Sequence, residues 1–292
     1  MAASVERSGG DELFALLQRA LPQHLLSRGM HALARSRQRV VRNTLIRTVL
    51  RAYPQIDMHE ALQPDPYVYE SFNAFFTRAL RPGVRPIVQA PNEAACPVDG
   101  TVSQLGRTDA GRLIQAKGMD YTCDRLLADA ASAERYVGGS FTCLYLAPYN
   151  YHRIHMPLDG VLRATRYVPG HLYSVNASTA RTVPELFALN ERVVCDFDTD
   201  LGPMCLVLVG ALFVGSVETV FAGEINPPPG RGGAVRAIEA GTGQRFARGA
   251  EIGRFNMGST VIVLFGREVS FMPRVEPGEP VRLGQALARF GP

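Results

Sequence analysis

The sequence predicts an α+β protein, with an amphipathic helical region at the N-terminus and a β-rich body after it. Three observations carry this expectation. Phe14, Leu17, Leu21 and Leu25 recur at helical spacing, as do Val41, Leu45, Val49 and Tyr53. From about residue 97 the apolar residues fall in short runs rich in Val, Ile, Leu, Phe and Thr, the texture of strands. Between the two regions Pro54, Pro64, Pro66, Pro82, Pro86, Pro91 and Pro97 punctuate the chain. At 292 residues, 46% hydrophobic and 20% charged, the chain can bury a core without disulfides or metal.

The elements follow in order. Residues 13–53 hold eight arginines (19, 28, 35, 37, 39, 42, 47 and 51) and no acid. The whole chain carries +4, so taking away these eight leaves −4 for the rest. Pro22 and Gly29 are expected to kink or split the first helical stretch. Two readings stand side by side for this segment. It is a helical subdomain with solvated arginines, or a helix pair lying on an anionic membrane surface. The aromatic interleaving of single-strand nucleic-acid binders is missing. Ser71–Leu80 reads as a short helix with Ser71 as its N-cap.

Strands are expected at Phe141–Ala147, Val161–Val168, Met204–Val209, Ala211–Thr219 and Ser259–Phe265, with loops at Asn226–Gly233 and Gly241–Gly249. The longest apolar run, Met204–Val217, is interrupted by Gly210 and Gly215 and falls short of the ~18 residues a spanning helix needs. It reads as two buried strands joined by a tight turn. Pro97–Val102 and Pro277–Val281 with Gly284-Gln285 resemble the turns of lipoyl- and biotinyl-carrier sandwiches, so the body is expected to be carrier-like or barrel-sandwich-like. Five cysteines (96, 123, 143, 195 and 205) form no C-x-x-C pair, which favours reduced thiols and disfavours cysteine-bound zinc. The first ten residues carry no secretory signal.

Familiar catalytic motifs are absent. Gly241-Thr242-Gly243 has no third glycine at 246, and there is neither a Walker A loop nor a G-x-S-x-G elbow. Of 31 basic residues Lys117 is the single lysine, so an imine formed through the enzyme's own amine would have one candidate. His152 and His155 lie in Tyr151–Pro157 after an apolar strand. They are satisfied or surface histidines, a zinc pair, or acid–base catalysts. Asp99 sits in an Asp-Gly turn that needs no chemistry, or it orients a histidine. Gly258-Ser259-Thr260 opens an apolar run. It is a plain strand start, or a bond where the serine hydroxyl attacks the open glycine carbonyl in an N→O acyl shift.

These stretches resemble the pyruvoyl-dependent phosphatidylserine decarboxylases of bacteria, the prokaryotic type I-like family. The matching residues are Phe72-Asn73, Phe75-Phe76 and Arg78; Arg85-Pro86-Ile87; Pro97–Gly100; Gln115–Gly118; Tyr151–Pro157; Val168–Gly170 with Ser174–Asn176; Asn190–Val193; and Gly258–Thr260. They run in family order from about residue 53 to the C-terminus. Met257 stands where the family usually has leucine, a swap that conserves volume.

The resemblance implies a zymogen that cuts itself between Gly258 and Ser259 into a large subunit, 1–258, and a small subunit, 259–292. Asp99, His155 and Ser259 would form the self-cleavage triad. Ser259 would become a covalent pyruvoyl group, the pyruvate cofactor, and no metal is implied. Phosphatidylserine would form a Schiff base there, lose carbon dioxide and leave as phosphatidylethanolamine, with His152 serving the acid–base steps. This answers the lysine question, since the substrate supplies the amine. A diacyl substrate favours the membrane reading of residues 13–53, with peripheral attachment to the cytoplasmic side of the cell membrane. The implied domains are a membrane-association region, 1–60, and a decarboxylase domain, 61–292. The implied partners are the two subunits, the anionic membrane and a second processed unit in a homodimer, with no nucleic acid. Two other classes remain open on the residues alone: a hydrolase or metalloenzyme using the histidine pair without self-cleavage, and a non-enzymatic membrane-bound module. Pyruvoyl decarboxylases of histidine and S-adenosylmethionine have soluble substrates, which the N-terminus disfavours.

Overall fold

The computed structural model describes residues 10, 18, 21–116, 119–212, 216–225, 234–256 and 258–291. Phe14, Leu17, Lys117, Met257 and the expected loop Asn226–Gly233 lie outside the described residues.

Two helices lead the described chain, α1 (Gln23–Ala34) and α2 (Arg39–Ala52), followed after a 3-10 turn by α3 (Phe72–Phe76). Pro22 stands at the N-cap of α1 with φ −75° and splits the helical stretch as expected, with Gln18 helical before it and α1 beginning after it. Gly29 does not split α1, contrary to the sequence expectation. One glycine costs a helix about 1 kcal/mol against alanine, which tertiary contacts offset. α1 packs on the body through a face other than its leucine stripe. It buries Gln23, Ser27 and Ala34, while Leu25 stands 67% exposed and Leu33 41%.

The polar face is the one with partners on the body. Gln23 Oε1 accepts from Leu172 N at 2.8 Å and Gln18 Oε1 from Ser174 N at 2.7 Å. At the other end His31 Nε2 and Arg35 Nη2 both lie 2.7 Å from Glu224 Oε1. α3 starts at the predicted cap, where Ser71 Oγ accepts from Ala74 N at 3.1 Å. Ala34, Ile46, Ile56, Phe72, Phe75 and Phe76 form a small core of their own, spanning both sides of position 60.

The body is built of sheets, and the described strands close no barrel. The largest sheet orders its strands as Arg236–Ile238, Gly160–Val168, Arg192–Thr199, Gly202–Val209, Thr260–Phe265, Ser140–Tyr145, Gly100–Arg107 and Pro280–Val281, all antiparallel. Arg245–Phe246 also pairs with Gly160–Val168. A second sheet runs Gly223–Ile225, Val217–Thr219, Glu251–Phe255, Arg153–His155. The two carrier-like turns lie side by side, with Pro280 opposite Thr101 and Val281 opposite Gly100. All six residues of Thr260–Phe265 are buried, which explains a run without polar alternation. The expected strand Ala211–Thr219 is corrected among the described residues: the chain leaves the large sheet after Val209, Ala211 and Leu212 are not strand, and Val217–Thr219 belongs to the second sheet.

Register decides where the site lies. Thr101, Tyr145, Thr260, Val209, Arg192 and Val168 form one row across the large sheet. The residues just beyond that row therefore share one edge: Asp99-Gly100, Leu146, Gly258-Ser259, Gly210, Glu191 and Pro169. With strands ~4.8 Å apart, segments far apart in sequence come within two or three strand spacings of Ser259. Gly100 is required by close approach, since a Cβ there would lie 2.6 Å from Tyr145 O.

Candidate active site

The Gly258–Ser259 bond enters the middle of the large sheet. Leu146 N donates to Ser259 O at 2.8 Å, fixing the peptide against the neighbouring strand end. The Ser259 hydroxyl is fully buried and has no hydrogen-bond partner among the described residues, and the same holds for Thr260 Oγ1. A Cβ on Gly258 would lie 3.1 Å from Leu146 O and 3.6 Å from His152 Cε1. The missing side chain is what lets the imidazole and the Leu146 carbonyl approach the bond.

His152 is fully buried and stacks on Phe76, ring centroids 4.1 Å apart at 21°. Its nitrogens lie near the carbonyls of Pro148 and Ala147 without a well-formed hydrogen bond. Burial, and then the charge of Arg78, push its pKa down to about 3. Near neutral pH it is an uncharged imidazole pressed against the bond.

His155 belongs to a different network. Its Nδ1 lies 2.8 Å from Gly249 O and its Nε2 3.1 Å from the Tyr151 hydroxyl. A carbonyl can only accept, so Nδ1 carries the proton and Nε2 accepts from Tyr151. That tautomer leaves Nε2 as the basic atom. Burial holds its pKa below the ordinary value, opposed by the Gly249 carbonyl.

Asp99 is buried and held by Arg85, whose Nε lies 3.0 Å from Oδ1 and whose Nη2 lies 2.7 Å from Oδ2. Leu283 N also donates to Asp99 Oδ1 at 2.8 Å. The remaining Arg85 donors reach Glu60 at 2.6 and 3.0 Å, and that hydrogen bonding lowers the Glu60 pKa. The structure thus brings Ser259, Gly258 and His152 together. It leaves Asp99 and His155 in neighbouring networks that make no hydrogen bond to each other. Glu60 lies outside every matching stretch, while Arg78, Arg85 and Tyr151 lie within them but carry no expected task. Five buried, unpaired cysteines fit reduced thiols, and burial raises Cys96, Cys123, Cys143 and Cys195 to about 12. Among the described residues no group of three or more His, Cys, Asp or Glu could hold a metal ion.

Comparison with known proteins agrees along nearly the whole chain. The family model described as phosphatidylserine decarboxylase matches residues 72–289, and a second, described as PSD, matches residues 13–54. The chain is 51% identical over 281 residues to a phosphatidylserine decarboxylase proenzyme of Pseudomonas aeruginosa, covering 95% of this chain and 97% of the relative. It is 51% identical over 279 residues to a protein of the same name from Pseudomonas putida, covering 94% and 97%. A third, from Azotobacter vinelandii, is 50% identical over 282 residues, covering 96% and 98%.

Proposed function

The chain belongs to the phosphatidylserine decarboxylase family, and from that premise we propose that it is a proenzyme. It cuts itself between Gly258 and Ser259, then converts phosphatidylserine to phosphatidylethanolamine and carbon dioxide. The observation that carries this is the buried, unpartnered Ser259 hydroxyl next to a glycine carbonyl, with an imidazole packed against the bond.

The residues fit a pyruvoyl group at this place. Ser259 Oγ attacks the Gly258 carbonyl carbon as a base takes its proton, and the Ser259 nitrogen leaves protonated, giving an ester. Elimination frees the Gly258 carboxylate and leaves dehydroalanine at 259, which water converts to pyruvoyl with loss of ammonia. A pyruvoyl carbonyl held at position 259 would supply the electrophile for the substrate amine and the sink for the electron pair released with carbon dioxide. Everything else falls to side chains. His155 is assigned as the cleavage base, with Gly249 O setting its tautomer and Asp99 supplying the negative field that favours its cation. In this reading the Tyr151 hydroxyl must release Nε2 first. His152 is assigned to the proton steps of decarboxylation. One observation favours a second reading, in which His152 serves cleavage: its ring, not that of His155, lies against Gly258.

The fold explains why the two fragments stay together. Thr260–Phe265 lies between Gly202–Val209 and Ser140–Tyr145, and Ala286–Phe290 pairs with Glu93–Ala95. The 259–292 fragment thus supplies a central strand flanked on both sides by the 1–258 fragment.

Residues 1–60 serve membrane association and 61–292 the chemistry. Exposed Leu25, Leu33 and Val40 and the exposed Arg28, Arg39, Arg47 and Arg51 suit peripheral attachment to an anionic leaflet on the cytoplasmic side. No described helix is long and apolar enough to cross a membrane. The test is an intact-mass measurement of purified protein with a phosphatidylserine assay. A small fragment of 34 of 292 residues, about 3.7 kDa of 31.8 kDa, should appear, blocked to N-terminal sequencing. An uncut chain that releases carbon dioxide from the lipid would refute the pyruvoyl route.

A further inference from the structure

A cleft of about 300 Å³ is lined by Gln55, Arg78, Arg85, Asp99, Tyr151 and Arg282 among others. Its charges balance, with Asp57, Glu60 and Asp99 against Arg78, Arg85 and Arg282, so no net field draws a ligand. The donors decide instead. Arg85 spends its guanidinium on Asp99 and Glu60. Arg282 is exposed and screened by water.

Arg78 is the exception. It is only 5% exposed, and its guanidinium sits 5.6 Å from the Phe75 ring centroid without a hydrogen bond or ion pair among the described residues. The carboxylates nearest to it in charge, Asp99 and Glu60, are hydrogen-bonded to Arg85, so the Arg78 donors remain open to a ligand anion, which would offset the cost of burying the cation. Arg78 also adjoins the reaction centre. It follows Phe76 by two residues, Phe76 stacks on His152, and His152 lies against Gly258.

We infer that Arg78 is a specificity residue that binds the phosphodiester of the substrate headgroup, an inference that rests on the decarboxylase reading above. A phosphodiester and a carboxylate are both oxyanions on this substrate, and the reaction separates them. A carboxylate paired with a buried guanidinium would be stabilised before its charge departs as carbon dioxide, which opposes catalysis. The phosphodiester keeps its charge throughout, so pairing it with Arg78 anchors substrate without raising the barrier. In the serine headgroup one methylene and one ester oxygen separate the reacting α-carbon from phosphorus. That short link matches a guanidinium one side chain removed from His152. The cleft also borders Gln55 and Asp57, just past the end of α2, where the lipid-facing helices meet the body.

The test uses the full-length protein with Arg78→Gln and Arg78→Lys, assayed on phosphatidylserine in phosphatidylcholine micelles. Both variants should mature to the 3.7 kDa fragment (34 of 292 residues), because cleavage involves no phosphate. Arg78→Gln should raise KM about 10- to 100-fold, the loss expected for a charge-assisted contact, with kcat changed less than about threefold. Arg78→Lys should fall between. Glycerophosphoserine should bind the uncut Ser259→Ala chain more tightly than it binds Ser259→Ala with Arg78→Gln, while inorganic phosphate should bind both equally weakly. Equal glycerophosphoserine binding to the two chains, or an unchanged KM, overturns the assignment. Tight inorganic phosphate binding lost with Arg78→Gln makes this a free-phosphate site instead. A kcat loss at constant KM moves Arg78 to the reacting carboxylate. If neither variant matures, Arg78 belongs to cleavage and the inference falls. Failure of the decarboxylase reading shows separately, as wild-type protein that releases no carbon dioxide.

Discussion

The proposed function divides cleavage and decarboxylation between the two histidines, and the structure sets what each substitution should do. Three residues of extended chain divide them, ~10 Å, so neither ring can stand in for the other. With His155 as the cleavage base, His155→Ala should slow precursor loss ~10²–10⁴-fold. His152→Ala should still cut, within about tenfold of wild type, yet decarboxylate ~10²–10⁴ times more slowly. Tyr151→Phe adds a finer reading. It removes the 3.1 Å hydrogen bond that occupies His155 Nε2, worth about 1 kcal/mol, so cleavage should quicken about fivefold. The assay is a time course of precursor and fragments by gel and intact mass during cell-free synthesis, with lipid turnover measured on matured protein. His152→Ala also empties a fully buried site beside Phe76 at a cost of about 2–5 kcal/mol, so thermal unfolding is followed in parallel. A folded His152→Ala chain that stays uncut while His155→Ala matures would refute the His155 assignment and select the second reading. If both variants mature and decarboxylate like wild type, the histidines have no part in either step.

Three further outcomes are expected. Ser259→Ala should remain full length, whereas the cut wild-type fragments should co-elute in native buffer and part only in denaturant, because Thr260–Phe265 is a central strand; fragments that separate on a native column would contradict that pairing. Replacing Arg28, Arg39, Arg47 and Arg51 by glutamate should weaken binding to anionic vesicles by at least about 1 kcal/mol per residue at low salt and less at high salt, as read by vesicle sedimentation, and unchanged binding would return α1 and α2 to a purely structural role. Glu191 gives a pH signature. Burial raises its pKa from 4.5 to about 7, against the pull of the Tyr167 hydroxyl, so the folded chain keeps a proton that the unfolded chain has lost. This group therefore reduces stability progressively as pH rises from about 4.5 to about 7. Glu191→Gln should gain on wild type across that window, by about 3 kcal/mol at its upper end, and urea unfolding at pH 5 and pH 8 showing no change in the gap would contradict it.

Much of the fold was legible because its signals are local. Ser71 caps α3 through its own hydroxyl, and Val261–Phe265 is apolar at every position because both faces are covered. What the sequence leaves open or misreads lies where a local pattern has two tertiary solutions. Helical spacing shows that α1 has an apolar and a polar stripe but not which one meets the body. Here the amides of Leu172 and Ser174 need acceptors, and Gln23 and Gln18 supply them, so the leucines turn outward. The apolar run after Gly210 reads as a second strand joined by a tight turn, yet the next strand among the described residues begins at Val217 and pairs with Phe255 in another sheet. No composition signal distinguishes those partners.

The candidate site shows the same limit more sharply. Ser259, Asp99 and the histidines were visible as residues, but pairing Asp99 with His155 assumed that a triad's carboxylate must orient its imidazole. In the described chain Gly249 O already fixes the Nδ1–H tautomer, and Arg85 and Leu283 N occupy Asp99. In the proposed mechanism the two tasks of a triad aspartate would therefore be divided. Orientation would fall to a backbone carbonyl, and charge would come from a carboxylate whose field is partly cancelled by Arg85. If cleavage runs through His155, Asp99→Asn should cost less than His155→Ala, because the tautomer survives and only the stabilisation of the cation is lost. A precursor half-life for Asp99→Asn as long as that of His155→Ala would mean that Asp99 leaves Arg85 and engages the imidazole directly in the transition state.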